Sequence, residues 1–186
     1  MDKKCARSAV PPSVDPPGTK CKLHRPFAFS SPRPRFEQVE GYLTVAEPFL
    51  TLPRPLVPTR RTAYKPPLMH YGWRVPRDLL LDYARQHRLT RKWGRVLEEC
   101  EYMERAMIDI NKKSGAGIPS DLLKLQPTSL GSPEDFSLVV TLYSNYQLKR
   151  RDLPSEEQFN VLRQGLGIEG PPRWYLDDED WVWSRW

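Results

Sequence analysis

Three histidines and three cysteines are the side chains here that could supply a base, a nucleophile or a soft metal ligand. His70, His87 and Cys100 would make one base-and-thiol constellation if the fold brought them together. His87 falls on or beside an apolar helical stripe, where a boundary histidine is the ordinary reading. His70 precedes the first helix beside Tyr71 and is expected to be exposed. Cys5, Cys21 and His24 sketch a partial metal site, with Cys21 and His24 three residues apart. A zinc site needs four ligands, and no fourth lies near in this proline-broken stretch. The odd cysteine count also argues against a disulfide framework. No metal and no cofactor is therefore expected.

The carboxylates are equally plain. Glu98, Glu99, Glu101 and Glu104 alternate with Lys92, Arg95 and Arg105, and Arg95–Glu99 and Glu101–Arg105 stand four apart. That spacing builds a charge-laced solvated face. Asp177 to Asp180 read as a solvated acidic run. The glycines at 115, 117, 165, 167 and 170 follow helices, whereas a phosphate cradle needs backbone amides at a helix start. Neither a G-x-S-x-G elbow nor an H-E-x-x-H pair occurs. No catalytic residue is assigned.

Binding candidates are more numerous. Pro55-Leu56-Val57-Pro58-Thr59-Arg60 has the P-x-x-P-x-Arg spacing of a polyproline ligand, with Pro55, Pro58 and Arg60 as its contacts. Ser31-Pro32 is a candidate phosphorylation site. Near the end, four acids precede three tryptophans, Trp181, Trp183 and Trp186. Trp181 and Trp183 are candidate anchors for a partner; the competing reading is that they cover the sheet. A pocket between the helices and the sheet would be lined by His87, Trp93, Tyr102 and Trp174.

The elements that would position these residues start at Tyr71 and run to Lys113, read as two amphipathic helices joined by a tight turn. Pro76 suits a helix start. Leu79, Leu80, Tyr83, Ala84 and His87 share one face. Thr90 would cap a second helix with Trp93, Val96, Leu97, Cys100, Met103, Met107 and Ile110 as its stripe, and Gly115 and Gly117 would stop it. A helical turn capped by Ser120 is expected within 118–125. Phe136–Tyr143 is the strongest strand, β-branched and apolar. Leu153–Gly165 is a third helix with a Ser155/Gln158 capping box. Arg173–Leu176 is a second strand, related to the first by a right-handed crossover if the two are parallel. The expected class is α+β: a helical hairpin packed with a two- or three-stranded sheet and a third helix.

Composition divides the chain. Of 20 prolines, 13 lie between Pro11 and Pro67. Residues 1–69 carry 12 Lys and Arg against 5 Asp and Glu; residues 70–186 carry 17 against 18. The expectation is a disordered basic proline-rich arm at 1–69 and a near-neutral domain at 70–186. A helix-turn-helix reading around Arg88-Leu89-Thr90 fails, because the following helix turns acidic within two turns. No apolar run reaches spanning length and no secretory leader is visible, so an intracellular chain, cytoplasmic or nuclear, is expected.

Tyr71-Gly72-Trp73-Arg74-Val75, Asp82-Tyr83-Ala84, Asn145-Tyr146, Leu153-Pro154-Ser155 and Pro172-Arg173-Trp174-Tyr175 together resemble a pattern found in small uncharacterised proteins of basidiomycete fungi. The resemblance spans roughly 70–186. It implies a source and a fold, and it carries no activity and no functional residue. The leading functional expectation is a non-enzymatic protein-interaction or structural protein. A small enzyme or ligand binder is the alternative, and weak nucleic-acid binding through the arm ranks third.

Overall fold

The computed structural model describes residues 48–60, 63–92, 95–96, 98–128 and 138–186, with backbone alone at 92, 95 and 96. A 3-10 turn at Arg54–Leu56 precedes β1 (Tyr64–Lys65) and β2 (Met69–Val75). Then follow α1 (Arg77–Gln86), β3 (Arg91–Lys92), β4 (Arg95–Val96) and α2 (Glu99–Ser114). The second half holds β5 (Lys124–Pro127), β6 (Leu138–Ser144), a 3-10 turn at Asn145–Gln147, α3 (Glu156–Leu166), β7 (Arg173–Leu176) and β8 (Ser184–Arg185). The class is α+β, as expected.

The main sheet has four strands in the order β5-β6-β2-β7, every neighbour antiparallel. Its centre is β2, a stretch expected to lead into a helix. Aromatic and β-branched residues alternating with polar or small ones, Tyr71, Trp73 and Val75 against His70, Gly72 and Arg74, suit a pleat better than a helix face. β6 and β7 do run parallel, joined through α3, but β2 lies between them and pairs with both.

The sheet curls strongly. Its β2–β6 register shifts between Tyr71 and Gly72. A methyl group on Gly72 would meet the Val140 carbonyl oxygen at 2.0 Å, so only glycine allows this approach. A bridge from Thr128 to Asp177 then joins the ends of the two edge strands. Phe49 pairs with Trp174 along the outer side of β7, its amide and carbonyl bonded at 3.1 and 2.8 Å. Both edges are thereby partly covered, which removes a template for aggregation.

The helices α1 and α2 pack side by side, and their cross-links reveal their direction. Arg77 pairs with Glu99, Tyr83 with Asp109, and His87 with Lys113. The pairs advance together, so the helices run the same way. No tight turn can do this. The connection instead returns along the helices, with β3 and β4 forming a short ribbon, Arg91 opposite Val96. Arg105 holds it there, donating to the carbonyls of Leu89 at 2.8 Å and Arg91 at 2.7 Å. α2 accordingly begins at Glu99, where the Glu98 amide donates to the Glu101 carboxylate at 2.9 Å. Thr90 does not cap it, Val96 belongs to β4, and Cys100 is exposed. Trp93 and Leu97 lie outside the described residues.

Other local expectations divide similarly. α3 has the Ser155/Gln158 capping box and ends at Gly167 in the left-handed conformation, φ 65°. Gly165 lies inside that helix. A methyl group there would meet Ser114 Cβ at 2.9 Å, so this glycine sets the α2–α3 approach. Within 118–125 there is a single turn, the amides of Leu122 and Leu123 donating to the Pro119 carbonyl at 3.0 Å, and β5 takes over from Lys124. Asn111 clasps both the amide and the carbonyl of Ile118, which draws this segment back onto α2.

The principal core lies between sheet and helices. Trp73, Val75, Leu80, Met103, Met107, Ile110, Leu138, Val140, Leu142 and Leu162 belong to one buried cluster. A second cluster joins Leu56, Met69, Trp174, Leu176 and Trp181, with Phe49 and Leu52 packed on it. Leu56 and Met69 are wholly buried. Described residues from Phe49 to Met69 therefore belong to the folded part, which is not confined to 70–186. A handful of apolar residues suffices to dock a proline-rich segment when a complementary surface awaits it. Residues 1–47, with Cys5, Cys21, His24 and Ser31, lie outside the described residues.

Candidate functional site

The second cluster is where chain segments distant in sequence meet, and its polar groups show how. Asn145 opens the 3-10 turn after β6 and is 1 % exposed. Its Oδ1 accepts the Met69 amide proton at 3.0 Å. Its Nδ2 donates to the carbonyls of Leu56 at 2.8 Å and Pro67 at 2.9 Å. One amide thus satisfies three backbone groups of the incoming segment that would otherwise be buried without partners. The next residue, Tyr146, donates its hydroxyl to the Pro66 carbonyl.

His70 and Asp177 form the other buried polar link. His70 Nε2 and Asp177 Oδ2 stand 2.7 Å apart, both residues under a tenth exposed. Asp177 Oδ1 accepts the amides of Glu179 at 2.9 Å and Asp180 at 2.7 Å. Burial raises the Asp177 pKa, but the bond to His70 and the two amides outweigh it, and the carboxyl rests below the ordinary range. A carboxylate orienting an imidazole is also the rear half of a hydrolytic triad. Here the pair is enclosed, and His87 and Cys100 are elsewhere. His87 stacks on Tyr83 with ring centres 4.1 Å apart and faces Lys113, near the end of α2. Cys100 lies thirteen residues earlier on that helix, about 20 Å away along its axis. The base-and-thiol constellation does not assemble. Among the described residues, no group of three or more His, Cys, Asp or Glu could hold a metal ion.

The described residues expected to line a helix–sheet pocket are not brought together. Tyr102 is a buried core residue between α2 and its neighbours, and His87 is exposed at the far end of α1. Trp174 belongs to the second cluster, stacked near Tyr71 and Tyr143 at 4.9 and 5.7 Å between ring centres. Trp93 lies outside the described residues.

The polyproline reading also changes. Arg54–Leu56 is a 3-10 turn and Leu56 is inside the second cluster, so Pro55 and Pro58 do not flank a free extended rod. Arg60 is exposed. Trp181 is buried and Trp183 packs on the same cluster, so both cover the sheet. An indole buries a large area, and the second cluster was the nearest place to put it.

What faces outward was not legible beforehand. Tyr146 and Trp186 are 38 % and 53 % exposed, with ring centres 6.4 Å apart in an edge-to-face arrangement. Beside them lies a shallow recess of about 240 Å³, lined by Lys65, Pro66, Leu68, Tyr146, Asp180, Val182 and Ser184. Partial burial and the nearby Asp180 carboxylate push the Tyr146 pKa up to about 12, so its hydroxyl stays protonated at neutral pH. No spacing rule marks Tyr146 or Asn145. The run of three tryptophans was the available signal, and it named the two that turn inward. Among the described residues no helix is long and apolar enough to cross a membrane. Searches against protein-family models, curated proteins and solved structures found no match to this chain.

Proposed function

We propose that this chain is a non-enzymatic protein-interaction module whose contact face is the Tyr146–Trp186 pair and the recess beside it. The observation that carries the reading is the exposed aromatic pair beside a recess, on a surface fixed from behind by Asn145 and the His70–Asp177 link. Exposed aromatic rings at a rigid surface are the usual anchors of protein contacts. The recess, at about 240 Å³, is smaller than the roughly 300–1,000 Å³ of ordinary small-molecule sites, which favours a docking face over a ligand pocket. An intracellular setting belongs to the same proposal, supported by the exposed free thiol of Cys100. So does kinship with the basidiomycete proteins, supported by the residue pattern shared with them.

The test is site-specific photocrosslinking in cells, with the crosslinker at 186 or at the control position 108, where Ile108 is also exposed. A protein adduct specific to 186, lost in Tyr146→Ala, supports the face. Adducts equal at both positions, or none at 186, refute it.

A further inference from the structure

Both helix ends meet at one place. Because α1 and α2 run the same way, their C-termini lie together, and the connection leaving α1 starts there. Residues 85–95 contain five Lys or Arg, one His and no Asp or Glu. This is far from the balance of residues 70–186, with 17 Lys and Arg against 18 Asp and Glu. Some of that charge is already engaged: Arg85 pairs with Asp82 at 2.9 Å, and Lys113 with Asp109 at 2.8 Å. Arg88, Arg91 and Lys112 are exposed and have no carboxylate partner among the described residues.

Two explanations compete for these three cations. Lysine and arginine near helix C-termini offset the partial negative charge of the last carbonyls, and parallel helices add two such ends. That accounts for Lys112, in the last turn of α2. It does not account for Arg91, which lies on β3 alongside α2, where Arg105 holds its carbonyl, and not in the last turn of either helix. Nor does it explain why position 88 keeps a long charged side chain at φ 56°, where glycine is favoured. The backbone beneath is held: Leu89 N bonds to the Ala84 carbonyl at 2.8 Å, and Arg105 binds the carbonyls of Leu89 and Arg91. Exposed cations without carboxylate partners, two of them on a basic run whose backbone is held and one at the adjoining end of α2, suit a chain of phosphates.

We propose that Arg88, Arg91 and Lys112 bind the phosphate backbone of a nucleic acid. The face differs from the aromatic recess and from the proline-rich arm, and it contributes affinity without base-specific contacts. The acidic face of α2 limits its extent, so the site contacts few phosphates and its binding is weak and salt-sensitive.

The experiment uses the full chain, titrated against labelled single-stranded RNA, duplex DNA and phosphatidylserine vesicles by fluorescence anisotropy or co-sedimentation. R88E/R91E is compared with K149E/R151E, which makes the same charge change on an exposed loop elsewhere. The expected result is about a tenfold loss of oligonucleotide affinity in R88E/R91E, with the log–log salt slope shallower by about 1.5 to 2, and at most about twofold loss in the control. Lys112→Glu alone should lower affinity about threefold, and it supplies the test if the double variant does not fold. Equal losses in both double variants would show that net charge is responsible. An unchanged R88E/R91E would assign any binding to other segments. Loss confined to vesicles would assign the face to a membrane surface. Any of these three outcomes overturns the proposal.

Discussion

Asn145 and Met69 are separated by 76 residues and joined by a 3.0 Å hydrogen bond, the Met69 amide donating to Asn145 Oδ1. The same side chain holds the Leu56 and Pro67 carbonyls, so the start of β2 and the segment before it hang on one buried amide. Replacing Asn145 with alanine leaves three enclosed backbone groups without partners. A loss of about 3 kcal/mol is expected in urea unfolding, allowing for partial relaxation. Asn145→Asp should be no better, because a carboxylate cannot donate to the two carbonyls and buries a charge. A loss below about 0.5 kcal/mol would mean that water takes over the role of the amide.

The second prediction concerns the border. A fragment covering 48–186 retains Phe49, Leu56 and Met69; one covering 70–186 lacks all three. Removing them exposes Trp174, Leu176 and Trp181 and strands the Asn145 side chain. The shorter fragment should lose its cooperative thermal transition or bind a hydrophobic dye, while the longer one melts like the full chain. Equal melting of the two fragments would show that the second cluster contributes little.

How much of this was readable in the residues depends on how local the cause is. The cap of α3 was readable, because Ser155 and Gln158 complete a motif within one turn. β2 was not, because its reason for being a strand is β6 and β7, both far along the chain. The connection from Arg88 to Leu97 imitated a helix because its apolar residues continue the spacing of α2. Periodicity cannot register that Arg105 holds those carbonyls from outside. The proline-rich segment was judged by its average composition, while Phe49 and Leu56 act individually. For the site, the tryptophan run was visible, but which indole turns outward depends on the curl of the sheet.

The His70–Asp177 link gives a pH prediction. The folded Asp177 carboxyl titrates below its ordinary value, so its contribution is complete above the unfolded carboxylate range near 3.8. It is lost as pH falls through the lower, folded value. Stability of the unmodified chain should therefore drop steeply at the acid end of a pH series of urea melts. Asp177→Asn should start less stable at neutral pH, because it loses the charged acceptor, and should show a flatter acid limb. Parallel limbs in the two proteins would place the acid sensitivity elsewhere.

Gly165 tests the packing of α2 on α3. Its missing Cβ would stand 2.9 Å from Ser114 Cβ and 3.2 Å from Ile110 Cγ2. Gly165→Ala raises intrinsic helix propensity by about 1 kcal/mol, yet overpacking of this kind costs about 1–3 kcal/mol. The sum should be a net loss. Adding Ser114→Gly removes the facing Cβ and should restore much of it, beyond what separate effects would give. Gly165→Ala melting above the parent would show that the helices separate freely.

Arg88 separates stability from binding at one position. It is the residue after the C-cap of α1, with φ 56°, and among the described residues it alone departs from negative φ without being glycine. Holding an L side chain there costs about 1 kcal/mol relative to glycine. Arg88→Gly should therefore raise the unfolding free energy by about 1 kcal/mol, measured in urea, even though glycine adds freedom to the unfolded chain. The same change removes one of the three unpaired cations and should lower oligonucleotide affinity about threefold. A variant more stable and less able to bind is what retained strain at a working position predicts. If Arg88→Gly is stabilised and binds as before, the arginine serves neither role, and the left-handed residue is only a strained helix end.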